Sequence, residues 1–216
     1  MNWNHSANRT RIKVCGLRSV EQAQIAVASG ADAIGLVFHR SSPRFVDIAQ
    51  ALKIRRSIPA FITVTALFMS EQESLVEEVV QTVRPDLLQF HGAETAAFCG
   101  LWERPYIKAI AMGDDLDALA YASAYPDAMG FLMDSHAAGR QGGSGDTFDW
   151  SRIPATFQYP LILAGGLNPR NVAQAVSEVR PYAVDVSSGV ESSRGVKDAT
   201  LIRQFCKEVY RVDCQH

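Results

Sequence analysis

Two residues able to move protons each close an apolar run. "RIKVC" alternates polar and apolar side chains up to Cys15, just before Gly16, and "MGFLMD" ends on Asp134. A thiolate can take a proton and a carboxylic acid can give one, so the two together could run acid–base chemistry. Each also has an ordinary reading. A lone cysteine is more often a small buried hydrophobe, and an aspartate after a strand is often a helix cap or a satisfied loop carboxylate. Arg44, in "HRSSPR" (39–44), adds a cation, though a solvated surface arginine is the commoner fate; His91, in "HG" (91–92), adds an imidazole whose role stays open.

Three glycine-rich stretches offer a different chemistry: "GRQGGSGDTF" (139–148), "AGGLN" (164–168) and "SSGVE" (187–191). Glycine lets backbone approach a ligand closely and turn N–H groups inward, which suits a phosphate. Each alone is compatible with plain turn chemistry; the three together point to a phosphate group. The candidate contacts are Gly143, Ser144 and Gly145 in the first, Gly165 and Gly166 in the second, and Ser188 and Gly189 in the third.

The elements that must position these residues alternate along the chain. Strand candidates are 11–15, 33–38, 60–68, 87–90, 106–111, 129–134, 160–164 and 183–187, separated by amphipathic stretches. In 19–30, Ser19 can cap a helix and Gly30 can end it in the left-handed conformation. In 70–83, Ser70 is the expected cap, with acidic residues in the first turn where the helix dipole favours them. In 168–179, Asn168 is the expected cap and Pro169 the first helical residue. Eight such units without a composition break predict an α/β fold, a single (β/α)8 TIM barrel, over an open doubly wound sheet; "VCGLRS" after the first strand is no dinucleotide fingerprint. In a TIM barrel the active site lies at the C-terminal strand ends, which is where the acid, thiol, arginine and bare backbone fall.

The 216 residues, 47% hydrophobic and 20% charged, are enough for one large domain with a substantial core. A formal net charge of -2 gives no basic field for nucleic acid or an anionic membrane, so a small-molecule partner is expected. The apolar run "AFITVTALFM" (60–69) is about half of the roughly 20 residues a membrane-spanning helix needs. The polar segment 1–10 reads as a flexible N-terminal extension in front of a catalytic barrel over 11–216, and the expected location is cytoplasmic. Cys15, Cys99, Cys206 and Cys214 lack metal-ligand spacing and are expected as thiols in a reducing compartment. With no exposed apolar stripe in evidence, a monomer is expected.

In order and spacing, "KVCGL", "FHRSSPRFV", "QFHGAE", "FLMDS", "GGSGDTFDW", "LAGGLNPRNV" and "VDVSSGVES" resemble the motifs of the phosphoribosylanthranilate isomerases of tryptophan biosynthesis, from about Arg11 to Arg211. The resemblance implies a single barrel without cofactor or metal. It also implies an Amadori rearrangement of N-(5-phosphoribosyl)anthranilate to 1-(2-carboxyphenylamino)-1-deoxyribulose 5-phosphate. It puts the general base on Cys15 and the general acid on Asp134, and it puts Arg44 against the anthranilate carboxylate, for which a planar fork is well shaped. Asp185 resembles a site residue of that family, either binding the sugar or serving structure at the end of strand eight. Two departures are modest: "GGSG" where the family commonly has "GGTG", and Ala93 where an acidic residue often follows "HG".

For such chemistry at neutral pH the acid's pKa must be raised and the thiol's lowered. Lys13, on the same strand face as Cys15, could favour the thiolate or could simply pair with a carboxylate. The rival readings are the histidine-pathway aminoaldose isomerase, which has an aspartate ending strands one and five where this chain has Cys15 and "AIAM", and a barrel that binds a phosphorylated ligand without turning it over. A structural scaffold would need no convergence of polar groups at one rim.

Overall fold

The computed structural model describes residues 9–112, 116–135 and 148–214. Eight parallel strands close into a barrel: β1 (Arg11–Cys15), β2 (Ala33–Val37), β3 (Thr63–Phe68), β4 (Leu87–Phe90), β5 (Tyr106–Ala111), β6 (Phe131–Asp134), β7 (Leu161–Leu163) and β8 (Ala183–Val186). The helices among the described residues are α1 (Val20–Ala28), α2 (Ile48–Ser57), α3 (Glu73–Thr82), α4 (Ala96–Gly100), α5 (Ala118–Ser123), α6 (Val172–Val179) and α7 (Ala199–Asp213). Between β6 and β7 the described residues hold a short 3-10 turn, Trp150–Arg152; another, Ser188–Val190, follows β8 and leads into a small hairpin, β9 (Glu191–Ser193) and β10 (Val196–Lys197).

Period-two alternation divides each strand between two environments. On β1, Ile12 and Val14 are fully buried in the layer under the helices, while Lys13 and Cys15 face the barrel interior. The interior is itself divided. Ile107, Ala109, Leu132, Ile162, Ala164 and Ala183 form an apolar cluster, whereas Lys13, Thr65, Gln89 and Asp185 bury polar atoms. Strand register sets two contacts that matter below: Lys13 lies opposite Asp185, and Cys15 opposite Gly35. A Cβ on Gly35 would lie 2.5 Å from the Cys15 sulfur, so glycine there makes room for the thiol.

Helix α1 begins as its sequence indicates, with the Ser19 side chain accepting from the Gln22 N–H at 3.1 Å, and it ends at Gly30 with φ of 101°. The other two caps differ. Helix α3 starts at Glu73 after Gln72, because Ser70, at φ 55°, is engaged elsewhere: its N–H donates to Glu94 and its hydroxyl accepts from the Ala93 N–H at 3.1 Å. Helix α6 starts at Val172 after Asn171. Asn168 and Asn171 instead donate to the Gly166 carbonyl at 3.1 and 3.0 Å, shaping the loop after β7. Strand β3 starts at Thr63 because Phe61 turns the chain at φ 71°, its side chain fully exposed. Within the segment read as an extension, Arg9 pairs with Asp32 and Thr10 donates twice to Asp213. Among the described residues no helix is long and apolar enough to cross a membrane.

Candidate active site

The C-terminal strand ends surround one cavity of about 850 Å³, counting its open mouth. Of the residues singled out from sequence, Cys15, Arg44, His91, Asp134, Gly165, Gly166, Asp185 and Ser188 line it. Gly189 sits behind the wall, where a Cβ would lie 1.9 Å from the Leu167 carbonyl oxygen, so this glycine lets the loops after β7 and β8 pack on each other. Gly143, Ser144 and Gly145 lie outside the described residues.

Cys15 is 4% exposed. Burial pushes its thiol up, the Lys13 ammonium pulls it down, the Asp185 carboxylate pushes it up again and Lys197 pulls it down; the balance stays above the ordinary thiol value. This differs from the lowered thiol that the chemistry suggests, because desolvation in the barrel mouth outweighs the nearby cations. Of the two alternatives for Lys13, the pairing with a carboxylate is the one seen in the geometry. Its Nζ donates to Asp185 Oδ1 at 2.8 Å, and its charge acts to lower the Cys15 thiol. Burial disfavours this ammonium, but Asp185 and Cys15 raise it above the usual lysine value.

Across the cavity, Asp134 Oδ2 stands 3.5 Å from His91 Nε2, and the Ser135 hydroxyl is 3.5 Å from Oδ1. The Gln89 amide nitrogen lies 3.2 Å from His91 Nδ1. With that amide donating, Nδ1 is the accepting nitrogen of the ring and Nε2 is the one turned toward Asp134. Gly165, at φ 78°, brings the β7 loop beside this pair: a Cβ there would meet Asp134 Oδ1 at 2.9 Å and the Ser135 nitrogen at 2.4 Å.

Arg44 reaches the cavity over Gly16, whose missing Cβ leaves space for the arginine's Cδ. Its guanidinium is held in a two-point pair with Glu191 at 2.7 and 3.0 Å. Burial would raise the Glu191 carboxyl, yet Arg44 and Lys197 hold it down at about 2. Sequence reading missed Glu191, Lys197, Gln89 and Lys108. Glu191 closes the quoted "SSGVE", but no spacing joins it to an arginine 147 positions away. Among the described residues no group of three or more His, Cys, Asp or Glu side chains is gathered as metal ligands would be.

Residues 12–208 match the family model described as N-(5'-phosphoribosyl)anthranilate (PRA) isomerase. The chain belongs to that isomerase family. An N-(5'-phosphoribosyl)anthranilate isomerase of Hahella chejuensis is 50% identical over 203 residues, covering 94% of this chain and 95% of its own. Among solved structures, phosphoribosyl anthranilate isomerase from Thermotoga maritima superposes with a TM-score of 0.86 at 37% identity, covering 94% and 99% of the two chains. A second phosphoribosyl anthranilate isomerase, solved with reduced 1-(o-carboxyphenylamino)-1-deoxyribulose 5-phosphate, gives 0.82 at 35% identity over the same shares.

Proposed function

We propose that this member of the phosphoribosylanthranilate isomerase family converts N-(5-phosphoribosyl)anthranilate to 1-(2-carboxyphenylamino)-1-deoxyribulose 5-phosphate, as a step of tryptophan biosynthesis. The observation that carries the reading is the meeting of a thiol and a carboxyl, Cys15 and Asp134, in one cavity that also holds Arg44 and two glycine-rich loops.

In this reading Asp134 gives a proton to the ribose ring oxygen while the anilino nitrogen pushes the C1'–O bond open, forming a protonated Schiff base. Cys15, as thiolate, takes the C2' hydrogen, and the electrons of that bond neutralise the iminium to give an enolamine. Moving the 2'-hydroxyl proton to C1' yields the ketone. One proton given and one taken leave the composition of the substrate unchanged, as an isomerisation requires. Lys13 favours the thiolate, Asp185 fixes Lys13, and His91 orients the Asp134 carboxyl. Arg44 holds the aryl carboxylate, and the backbone of Gly165, Gly166 and Ser188, with Gly189 shaping the loop and Gly143, Ser144 and Gly145 as candidates beyond the described residues, receives the phosphate.

All these residues come from one chain, so the chemistry asks for one copy only; a monomer, a cytoplasmic location and a barrel over 11–216 preceded by an extension over 1–10 are part of the same proposal. The test is to supply the purified chain with phosphoribosylanthranilate and follow the loss of anthranilate-type fluorescence. Turnover is expected, and none at micromolar enzyme would reject the assignment.

A further inference from the structure

Arg44 belongs to a cluster of three charges. Its Nε donates to Glu191 Oε1 at 2.7 Å and its Nη2 to Oε2 at 3.0 Å, which fixes the plane of the guanidinium. Glu191 also accepts from Lys197 Nζ at 2.8 Å and from the Gly195 N–H at 3.0 Å. The turn of the β9–β10 hairpin passes so close to the Arg44 loop that a Cβ on Gly195 would lie 2.6 Å from the Pro43 carbonyl oxygen. Side-chain exposure is 10% for Arg44, 4% for Glu191 and 1% for Lys197, so water screens these charges poorly.

An isolated Arg–Glu pair is neutral and would pull only weakly on another carboxylate. The third member changes the sum, since among the described residues of this cluster two cations and one anion leave one positive charge. Arg44 is the cation that lines the cavity. Lys197 is turned toward the Ser187 carbonyl at 2.9 Å and the Ser187 hydroxyl at 3.3 Å, and that hydroxyl donates to the Cys15 carbonyl at 3.1 Å.

We propose that Lys197 is a specificity-determining positioning residue: by balancing the charge of Glu191, it allows Glu191 to orient Arg44 without cancelling the charge Arg44 presents to the substrate's aryl carboxylate. This rests on the assignment of Arg44 to that carboxylate. Glu191 supplies geometry, Lys197 restores charge, and the two are needed together.

The test uses two stable secondary amines, the reduced product bearing the ortho carboxylate and its phenyl counterpart without it, each titrated calorimetrically into the full chain. The quantity read is the ratio of their affinities. Lys197→Met is expected to cut the ratio about tenfold while the phenyl amine binds within about twofold of wild type, because only the carboxylate interaction loses its driving charge. The double variant Glu191→Gln/Lys197→Met again sums to one positive charge and is expected to return the ratio to within about threefold of wild type. A purely structural role predicts both amines weakened alike and no restoration by the double variant, and either result overturns the proposal. Lys197→Gln, which can still donate to the Ser187 carbonyl, carries the same expectation if the methionine variant does not fold. A wild-type ratio near one would remove the Arg44 assignment and this proposal with it. A ratio abolished by Arg44→Ala but untouched in Lys197→Met would leave that assignment standing and remove the charge balance alone.

Discussion

Two buried lysines stand on opposite sides of the barrel mouth, and both clamp a rim loop by its backbone. Lys108 Nζ donates to the carbonyls of Phe90 and Gly92 at 3.2 and 2.6 Å, with Glu94 at 3.4 Å. Glu94 in turn accepts from the N–H groups of Ser70 and Gly92 at 2.7 and 2.9 Å. Lys197 donates to the Ser187 carbonyl and to Glu191. The device is the same, but the sums differ. Lys108 and Glu94 cancel, and the ammonium also lies 5.6 Å from the Tyr125 ring, so this pair adds no net charge while it holds the loop carrying His91. The Lys197 clamp adds Arg44 and, among the described residues, sums to one positive charge near Cys15. Burial lowers both ammonium pKa values from the ordinary lysine value, with the paired glutamate opposing in each case. A neutral clamp suits a wall; a clamp with an added cation suits the binding role proposed for Arg44.

The comparison breaks most visibly at the proposed proton-transfer groups, one on each side. Cys15→Ser and Asp134→Asn should each lower kcat by about 10² to 10⁴ while the reduced product still binds, because a positioned acid or base contributes that much. An unaltered kcat in either variant would strip that residue of its role. On the neutral side, Lys108→Met removes a fully buried ammonium and strands Glu94, for an expected loss of about 3 to 5 kcal/mol in denaturant unfolding. The same variant should leave the pH dependence of kcat/KM in place; a displaced profile would give Lys108 a part in the chemistry.

Acid sharpens the contrast from the other side. The folded Glu191 carboxyl sits at about 2 against 4.5 for the free side chain. A depressed carboxyl contributes stability above its unfolded value and loses it as the pH falls, so on the order of 3 kcal/mol should disappear between about pH 4.5 and 2. Glu191→Gln should flatten that limb of the stability–pH curve. The smallest effect is expected from Lys13→Met. A positive neighbour favours the thiolate, so its removal raises the Cys15 thiol further, and the basic limb of kcat/KM should move to higher pH, with kcat/KM at neutral pH falling roughly tenfold. A limb that stays put would mean that Lys13 serves Asp185 alone.

The strand ends were legible in the chain because they are local. Cys15 and Asp134 each close a run whose period-two pattern marks a strand, and the parallel barrel places every strand's C-terminal end at one rim. Helix starts were less legible. Ser19 caps α1 by accepting from the Gln22 N–H, whereas Ser70 is drawn away to the β4 loop, 23 positions along the chain, and Asn168 is turned back onto the Gly166 carbonyl within its own loop. The partners of the candidate site residues were the least visible. Arg44 reads as a lone cation until Glu191 and Lys197 are folded back onto it from a hairpin after β8.

By itself the sequence determined the alternation of strand and helix, the side chains that end each strand and the family to which their order belongs, since periodicity and motif order are carried by neighbours along the chain. Closure of the barrel decided the rest. It set the Lys13–Asp185 register, the room that Gly35 leaves for a thiol and the sum of charges around Arg44. Those depend on which atoms share a poorly hydrated space, and burial there converts the same residues from solvated charges into a thiol held high and a carboxyl held low.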